Sequence, residues 1–322
     1  MVAELVKNGI KPAITLFHWD TPLALFNEYG AWTDPQIVDD FFNFATFIIQ
    51  RYDQYVETWF TINEPQYCNW QYASYPAGKY YPAYSKVPLW ALHPACSCSR
   101  SQMVRRSPSL KQVLIHFTYR YHEDFKGRGR ITFKNSANYF EPNTTSSADA
   151  VAVQRNYDFV LGWFNDPVWK DGDYPESLRQ TLGDTLPTFT DEEKALVKGS
   201  CDFFALDGYT SFYASGIDDL EACTSNSSYP GYPECAGSQS AAPDGFPIGP
   251  SADGGANWLY SAPVGLRRFL KKITTELFPS VPDIMVTEFG FAEPGEAALS
   301  SLNTILWDLR RADYYQVSLF TT

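Results

Sequence analysis

Short β-favouring runs alternate with amphipathic helical stretches along the chain, and this alternation narrows the possible folds more than any other feature. Ala13–Phe17, Thr58–Ile62, Arg130–Lys134, Asp202–Leu206 and Pro282–Thr287 each read as a strand. Between the first two, Asp34 can cap a helix and Pro35 suits its first position. Ile37, Val38, Phe41, Ala45, Ile48, Ile49 and Tyr52 then fall on one face. Helical spacing returns over Ser147–Phe164 through Ala150, Gln154, Tyr157 and Leu161. It returns again from Pro263 through Leu266, Leu270, Ile273 and Leu277, and over Leu299–Val317. Thr210–Gly255, rich in Gly, Pro and Ser, reads as a long loop.

Strand-then-helix repetition predicts an α/β fold with parallel strands in one domain over residues 1–322. Two arrangements satisfy it. A (β/α)8 barrel places its site at the carboxyl ends of the strands. A doubly wound open sheet is the alternative, and the lack of a Gly-x-Gly-x-x-Gly turn after any strand counts against it. Five strand–helix units are legible where a closed barrel needs eight, so the expected barrel is incomplete.

Charge and composition exclude several functions. The formal net charge of −12 repels phosphate backbones, so nucleic acid is not an expected partner. No apolar run approaches the length of a membrane span, and no signal peptide opens the chain. Aromatic residues make up 16% of the sequence, enough to fill a core and leave rings for stacking on sugars. Six cysteines are too few for a disulfide-built scaffold, but Cys223 and Cys235 flank a loop that a bridge would restrain. With the sequons at Asn143 and Asn226, they point to a secreted protein, a cytoplasmic one being the alternative. Cys96 and Cys98 lack partners at metal-ligand spacing, so no metal is expected.

Two strands end in Glu: Thr61-Ile62-Asn63-Glu64-Pro65 and Val286-Thr287-Glu288-Phe289-Gly290. Glycoside hydrolysis needs two carboxyl groups across one bond, one to protonate the leaving oxygen and one to act on the opposite face. Two strand-end Glu residues of one barrel can meet that need, although such residues also serve as helix caps and ion-pair partners. Asn63 could hold a sugar hydroxyl. His18, between Phe17 and Trp19 at a third strand end, could do the same or be a satisfied core histidine.

These segments resemble glycoside hydrolase family one, the β-glucosidase family. Asn8–Pro22 is similar to its third-strand signature, Trp59–Pro65 to its acid/base motif and Thr287–Gly290 to its nucleophile motif. Gly162-Trp163-Phe164, Asp166-Pro167, Gly172–Pro175 and Asp202–Thr210 match further stretches in order. The resemblance implies a (β/α)8 TIM barrel, a retaining mechanism and no cofactor. It implies Glu64 as acid/base and Glu288 as nucleophile, with the two carboxyls about 5 Å apart. His18 and Asn63 would hold hydroxyls of the terminal glucose. Tyr209 would hydrogen-bond to the nucleophile, and Asn138 would lie near the acid/base. The implied substrate is a β-glucoside or cello-oligosaccharide; oligomeric state is not implied.

The chain departs from the family pattern at Phe289 and Asp207, where the family usually has Asn. It is expected to lack the first two strands and the eighth, with a glucose-binding Gln, an Arg beside the nucleophile, and a Trp and Glu that hold the sugar's far side. Residues 85–112 are basic and contain no acid, reading as a surface loop or a misread exon boundary. The expected activity is therefore that of a retaining β-glucosidase. An inactive truncated barrel or another retaining β-glycanase are the alternatives.

Overall fold

The computed structural model describes residues 1–31, 36–65, 121–123, 125–186, 188–252 and 256–321. The predicted helix start at Asp34 and Pro35, and the 85–112 segment with Cys96 and Cys98, lie outside these residues, as does the side chain of Val38.

Five strands form one parallel sheet in strict chain order. They are β1 (Ala13–Phe17), β2 (Thr58–Asn63) and β3 (Arg130–Ser136), followed by β5 (Phe204–Asp207) and β8 (Ile284–Glu288). Each strand pairs only with the one before and after it in this series. Single winding in one direction is the order of a barrel; a doubly wound sheet would reverse direction. The fold is thus part of a (β/α)8 barrel, and the strand alternation of the sequence predicts it correctly.

Among the described residues, helices pack against this sheet through one apolar core. Gln36–Tyr52 buries Ile37, Phe41, Ala45 and Ile49, the face expected from spacing, and leaves Phe44 and Phe47 exposed. Pro263 opens the helix Pro263–Lys272, as its fixed φ and missing N–H favour. Phe269, Ile273 and Leu277 from this region join the main apolar core with Trp59, Ile131, Phe204 and Leu206. The helix Ser147–Tyr157 runs through a single π-turn, Asp158–Gly162, into Trp163–Trp169. Inside that turn Phe159 and Leu161 are buried, and Asn165 donates 2.7 Å to Asn135 of β3.

Two readings of the sequence need correction. The region Thr210–Gly255 contains regular structure: β6 (Ser211–Ser215) pairs parallel with β4 (Tyr139–Pro142) and antiparallel with β7 (Gly237–Gln239). Its Ser- and Gly-rich sequence hides the strands because their pairing is long-range. The final helix is also not continuous. It breaks into Leu302–Ile305 and Leu309–Thr321, because Glu293 Oε2 accepts the Arg310 and Arg311 N–H groups at 3.1 and 3.0 Å and starts a new helix there. Leu302, Leu306 and Leu309, which share helical spacing, are all exposed.

The bridge Cys223–Cys235 is present, as the loop composition leads one to expect. Arg155 docks that loop onto the helix Ser147–Tyr157 by donating to the carbonyls of Glu234 and Pro233, at 2.6 and 3.1 Å. No helix among the described residues is long and apolar enough to cross a membrane.

Candidate active site

The carboxyl ends of β2, β3, β5 and β8 converge on one cluster. Parallel register brings Asn63 opposite Lys134, Ser136 opposite Asp207, and Asp207 opposite Glu288. Side chains alternate faces along a strand, so Lys134 and Ser136 share one face of β3 while Asn135 turns to the helices and donates to the Ala205 carbonyl. The chain leaves β2 abruptly. Glu64 has φ +46°, and its N–H donates 3.0 Å to the Lys134 carbonyl. A second left-handed residue, Trp19 at φ +72°, follows β1, and its indole N–H donates 3.0 Å to the Asn63 carbonyl. Non-glycine residues held in this region mark places where the fold imposes backbone strain.

One carboxylate oxygen each from Glu64, Asp207 and Glu288 lie within 4.8 Å of one another. Lys134 Nζ stands against two of the three, in contact with Glu288 Oε1 and 3.3 Å from Asp207 Oδ2. Its side chain is 5% exposed and that of Asp207 fully buried. Tyr209 donates 2.7 Å to Glu288 Oε2, so both oxygens of Glu288 are held. Thr287 donates 2.6 Å to Asp207 Oδ1. Phe60, Phe203 and Ala205, with Met285 packed against them, form an apolar cluster, and Lys134 Nζ lies 5.9 Å from the Phe60 ring centre.

This setting separates the two strand-end glutamates. Burial pushes the Glu64 carboxyl up to about 8; the charge of Asp207 adds to the rise, and a hydrogen bond with Ser136 opposes it. Burial also acts on Glu288, but the hydrogen bonds from Lys134 and Tyr209 outweigh it and hold its carboxyl below the ordinary range. Asp207 is raised to about 6, chiefly by burial. Burial, with the hydrogen bond to Glu288, drives Tyr209 upward, so it remains a phenol that can donate. At neutral pH one glutamate is an acid and its neighbour an anion, the division of labour that paired carboxyl chemistry requires.

The predicted residues divide into three groups. Glu64, Glu288 and Tyr209 come together, with Tyr209 hydrogen-bonded to Glu288. Asn63 is fully buried beside Glu64, and His18 is solvent-exposed, edge-on to Trp19 at 5.4 Å and close enough to act electrostatically on Glu288. Asn138 is different. Its Oδ1 accepts the N–H groups of Tyr209 and Thr210, at 3.3 and 2.9 Å, so its amide shapes the turn that carries Tyr209. The Tyr209 carbonyl in turn accepts 2.8 Å from the Tyr314 hydroxyl, and the Tyr209 ring meets Trp258 edge-on at 5.8 Å. Sequence reasoning does not single out Lys134 as a site residue, although it closes the run Arg130–Lys134 that reads as a strand.

Comparison with known proteins bears on family and fold. The family model for glycosyl hydrolase family 1 matches residues 1–321. The chain is 33% identical to raucaffricine-O-β-D-glucosidase of Rauvolfia serpentina, covering 99% of this chain and 61% of that enzyme. It is also 33% identical to β-glucosidase 17 of Arabidopsis thaliana, covering 99% and 59%. The structure of β-glucosidase 2 from the fungus Trichoderma reesei superposes with a TM-score of 0.80 at 31% identity, covering 99% of this chain and 64% of that one. A family 1 β-glucosidase from the fungus Humicola insolens, in complex with glucose, superposes with a TM-score of 0.81 at 29% identity, covering 99% and 64%. The chain thus spans about three-fifths of the length of these relatives. By motif, fold and match over nearly its whole length, this chain belongs to glycosyl hydrolase family 1.

Proposed function

We propose that this protein is a retaining β-glucosidase, removing terminal β-linked glucose from a glucoside or cello-oligosaccharide by double displacement. The observation that carries this reading is the opposed tuning of Glu64 and Glu288 with oxygens within 4.8 Å. Retaining enzymes hold their carboxyls about 5–5.5 Å apart, whereas inverting ones leave about 6.5–9.5 Å for a water.

In the first step a Glu288 oxygen attacks the anomeric carbon and the bond to the leaving oxygen breaks. That oxygen takes the Glu64 proton, leaving a glycosyl ester on Glu288 and a carboxylate on Glu64. In the second step water attacks the same carbon, Glu64 takes its proton, and the ester bond breaks to return the Glu288 carboxylate. Tyr209 orients Glu288, while Asn63 and His18 meet sugar hydroxyls. The Cys223–Cys235 bridge supports an oxidising, secretory compartment for the protein.

Hydrolysis of p-nitrophenyl β-glucoside by the purified chain, with Glu288→Gln as control, tests the reading. Release that disappears in the control supports it. A folded chain that releases nothing favours an inactive barrel. Cleavage only of internal bonds in longer β-glucans favours an endo-acting β-glycanase.

A further inference from the structure

The Lys134–Asp207 ion pair lies in the cluster, but the two-carboxylate scheme gives it no part. An ammonium and a carboxylate are both withdrawn from water here, and such burial is costly unless each charge is matched. Lys134 has two anions against it, Glu288 and Asp207. Glu288 changes charge during the proposed reaction, whereas Asp207 takes no covalent part.

We propose that Lys134 and Asp207 form a positioning ion pair for the reaction, Lys134 holding Glu288 as the nucleophile and then resting on Asp207 while Glu288 is an ester. The proposal rests on the glycosidase reading and extends it to two residues outside the carboxylate pair. Charge counting supports it. With Glu64 protonated, Lys134, Asp207 and Glu288 sum to −1. In the glycosyl-enzyme Glu288 is neutral and Glu64 has given up its proton, so the sum is again −1. The constant total comes from the charge passing from Glu288 to Glu64; the pair is neutral in both states, so Lys134 keeps a matching anion in Asp207 while Glu288 is an ester. Asp207 also lies close enough to Glu64 to favour its protonated form, which keeps it a donor in the first step and makes it a stronger base in the second.

Geometry fixes which partner does what. Lys134 reaches only one oxygen of Glu288 and leaves the other to Tyr209. Thr287 anchors the other oxygen of Asp207, so that carboxylate stays in place when Lys134 shifts toward it.

The test compares the 322-residue chain with Lys134→Met, Lys134→Arg and Asp207→Asn. In Lys134→Met the acidic limb of kcat/KM should rise by about one pH unit or more, since an opposite charge at this range is worth about that much. Lys134→Arg should keep the limb in place. Asp207→Asn should lower the alkaline limb and slow the second step about tenfold, seen as a burst of p-nitrophenol and a build-up of glycosyl-enzyme by mass spectrometry. Unmoved limbs in Lys134→Met and Asp207→Asn, with turnover kept, would overturn the proposal. If Lys134→Met does not fold, a carbon-13 titration of the Glu288 carboxyl in the parent chain and in Lys134→Arg decides. A midpoint below the ordinary range in both supports the clamp, and an ordinary or raised midpoint in the parent overturns it. A chain that neither hydrolyses nor forms glycosyl-enzyme would sink the glycosidase reading, and the clamp is then judged on the titration alone.

Discussion

Replacing Glu64 with Gln removes a carboxyl whose ionisation the folded protein resists, and the consequence for stability can be worked out. Folding moves that carboxyl from an ordinary 4.5 to about 8. Below about pH 4.5 the group is protonated in both states, so its charge does not distinguish variant from parent. Between about pH 4.5 and 8 the unfolded chain ionises Glu64 while the folded chain holds the proton. The unfolded state then binds fewer protons, and parent stability falls as pH rises. At about 1.4 kcal/mol per pH unit the full penalty approaches about 5 kcal/mol near pH 8, and relaxation of the site reduces it to about 2–5 kcal/mol. Glutamine keeps the shape and carries no such penalty. Urea unfolding of both proteins from about pH 4 to about pH 9 should therefore give similar stabilities at the acid end and a steadily growing advantage for the variant. The same variant should lose turnover by about 10²–10⁴-fold on glucosides with poor leaving groups, and less on activated ones that need no proton. A stability difference that stays constant with pH would refute the reasoning, because Glu64 would then be ordinary in the fold.

Other consequences follow from the same geometry. The pH profile of kcat/KM should be bell-shaped, with an alkaline limb near 8 from Glu64 and an acidic limb below the ordinary glutamate value from Glu288; initial rates on p-nitrophenyl β-glucoside check it. Tyr209→Phe removes the 2.7 Å hydrogen bond to Glu288, so the acidic limb should move up and kcat/KM should fall about 10- to 100-fold at pH 5. Cys223→Ser with Cys235→Ser opens a loop of sequence separation 12, which should cost about 3 kcal/mol in urea unfolding; a loss below about 0.5 kcal/mol would show that hydrogen bonds such as those from Arg155 and Tyr232 hold the loop without the bridge.

Much of the site is legible in the sequence because its residues sit at strand ends within recognisable runs. Glu64 and Glu288 end two short apolar strands, and the family resemblance of the motifs around them implies the roles proposed for them. Tyr209 is placed beside the nucleophile by the family resemblance of Asp202–Thr210. Lys134 is not legible. Its neighbours Phe133 and Asn135 give no sign of chemistry, and only the pairing of β3 with β2 and β5 turns its side chain toward Glu288. Asp207 is visible as an unusual residue, but its meaning depends on Lys134. Asn138, which the family resemblance places near the acid/base, has its amide oxygen taken by two backbone N–H groups, a contact the sequence does not announce. In the fold, periodicity identifies Gln36–Tyr52 well because one face is apolar over seventeen residues. It misses the break near Asp308, since Leu302, Leu306 and Leu309 keep helical spacing across it while Glu293 caps a new helix from outside.

The central claim is that Glu288 carries the sugar and Glu64 carries the proton. It is tested most directly by treating the chain with an activated 2-deoxy-2-fluoro-β-glucoside, whose slow second step traps the ester, and mapping the label by peptide mass spectrometry. The account predicts a single fluoroglucosyl adduct on Glu288, absent from Glu288→Gln and released by an added acceptor. An adduct on another residue, or none in a chain that hydrolyses β-glucosides, would contradict it.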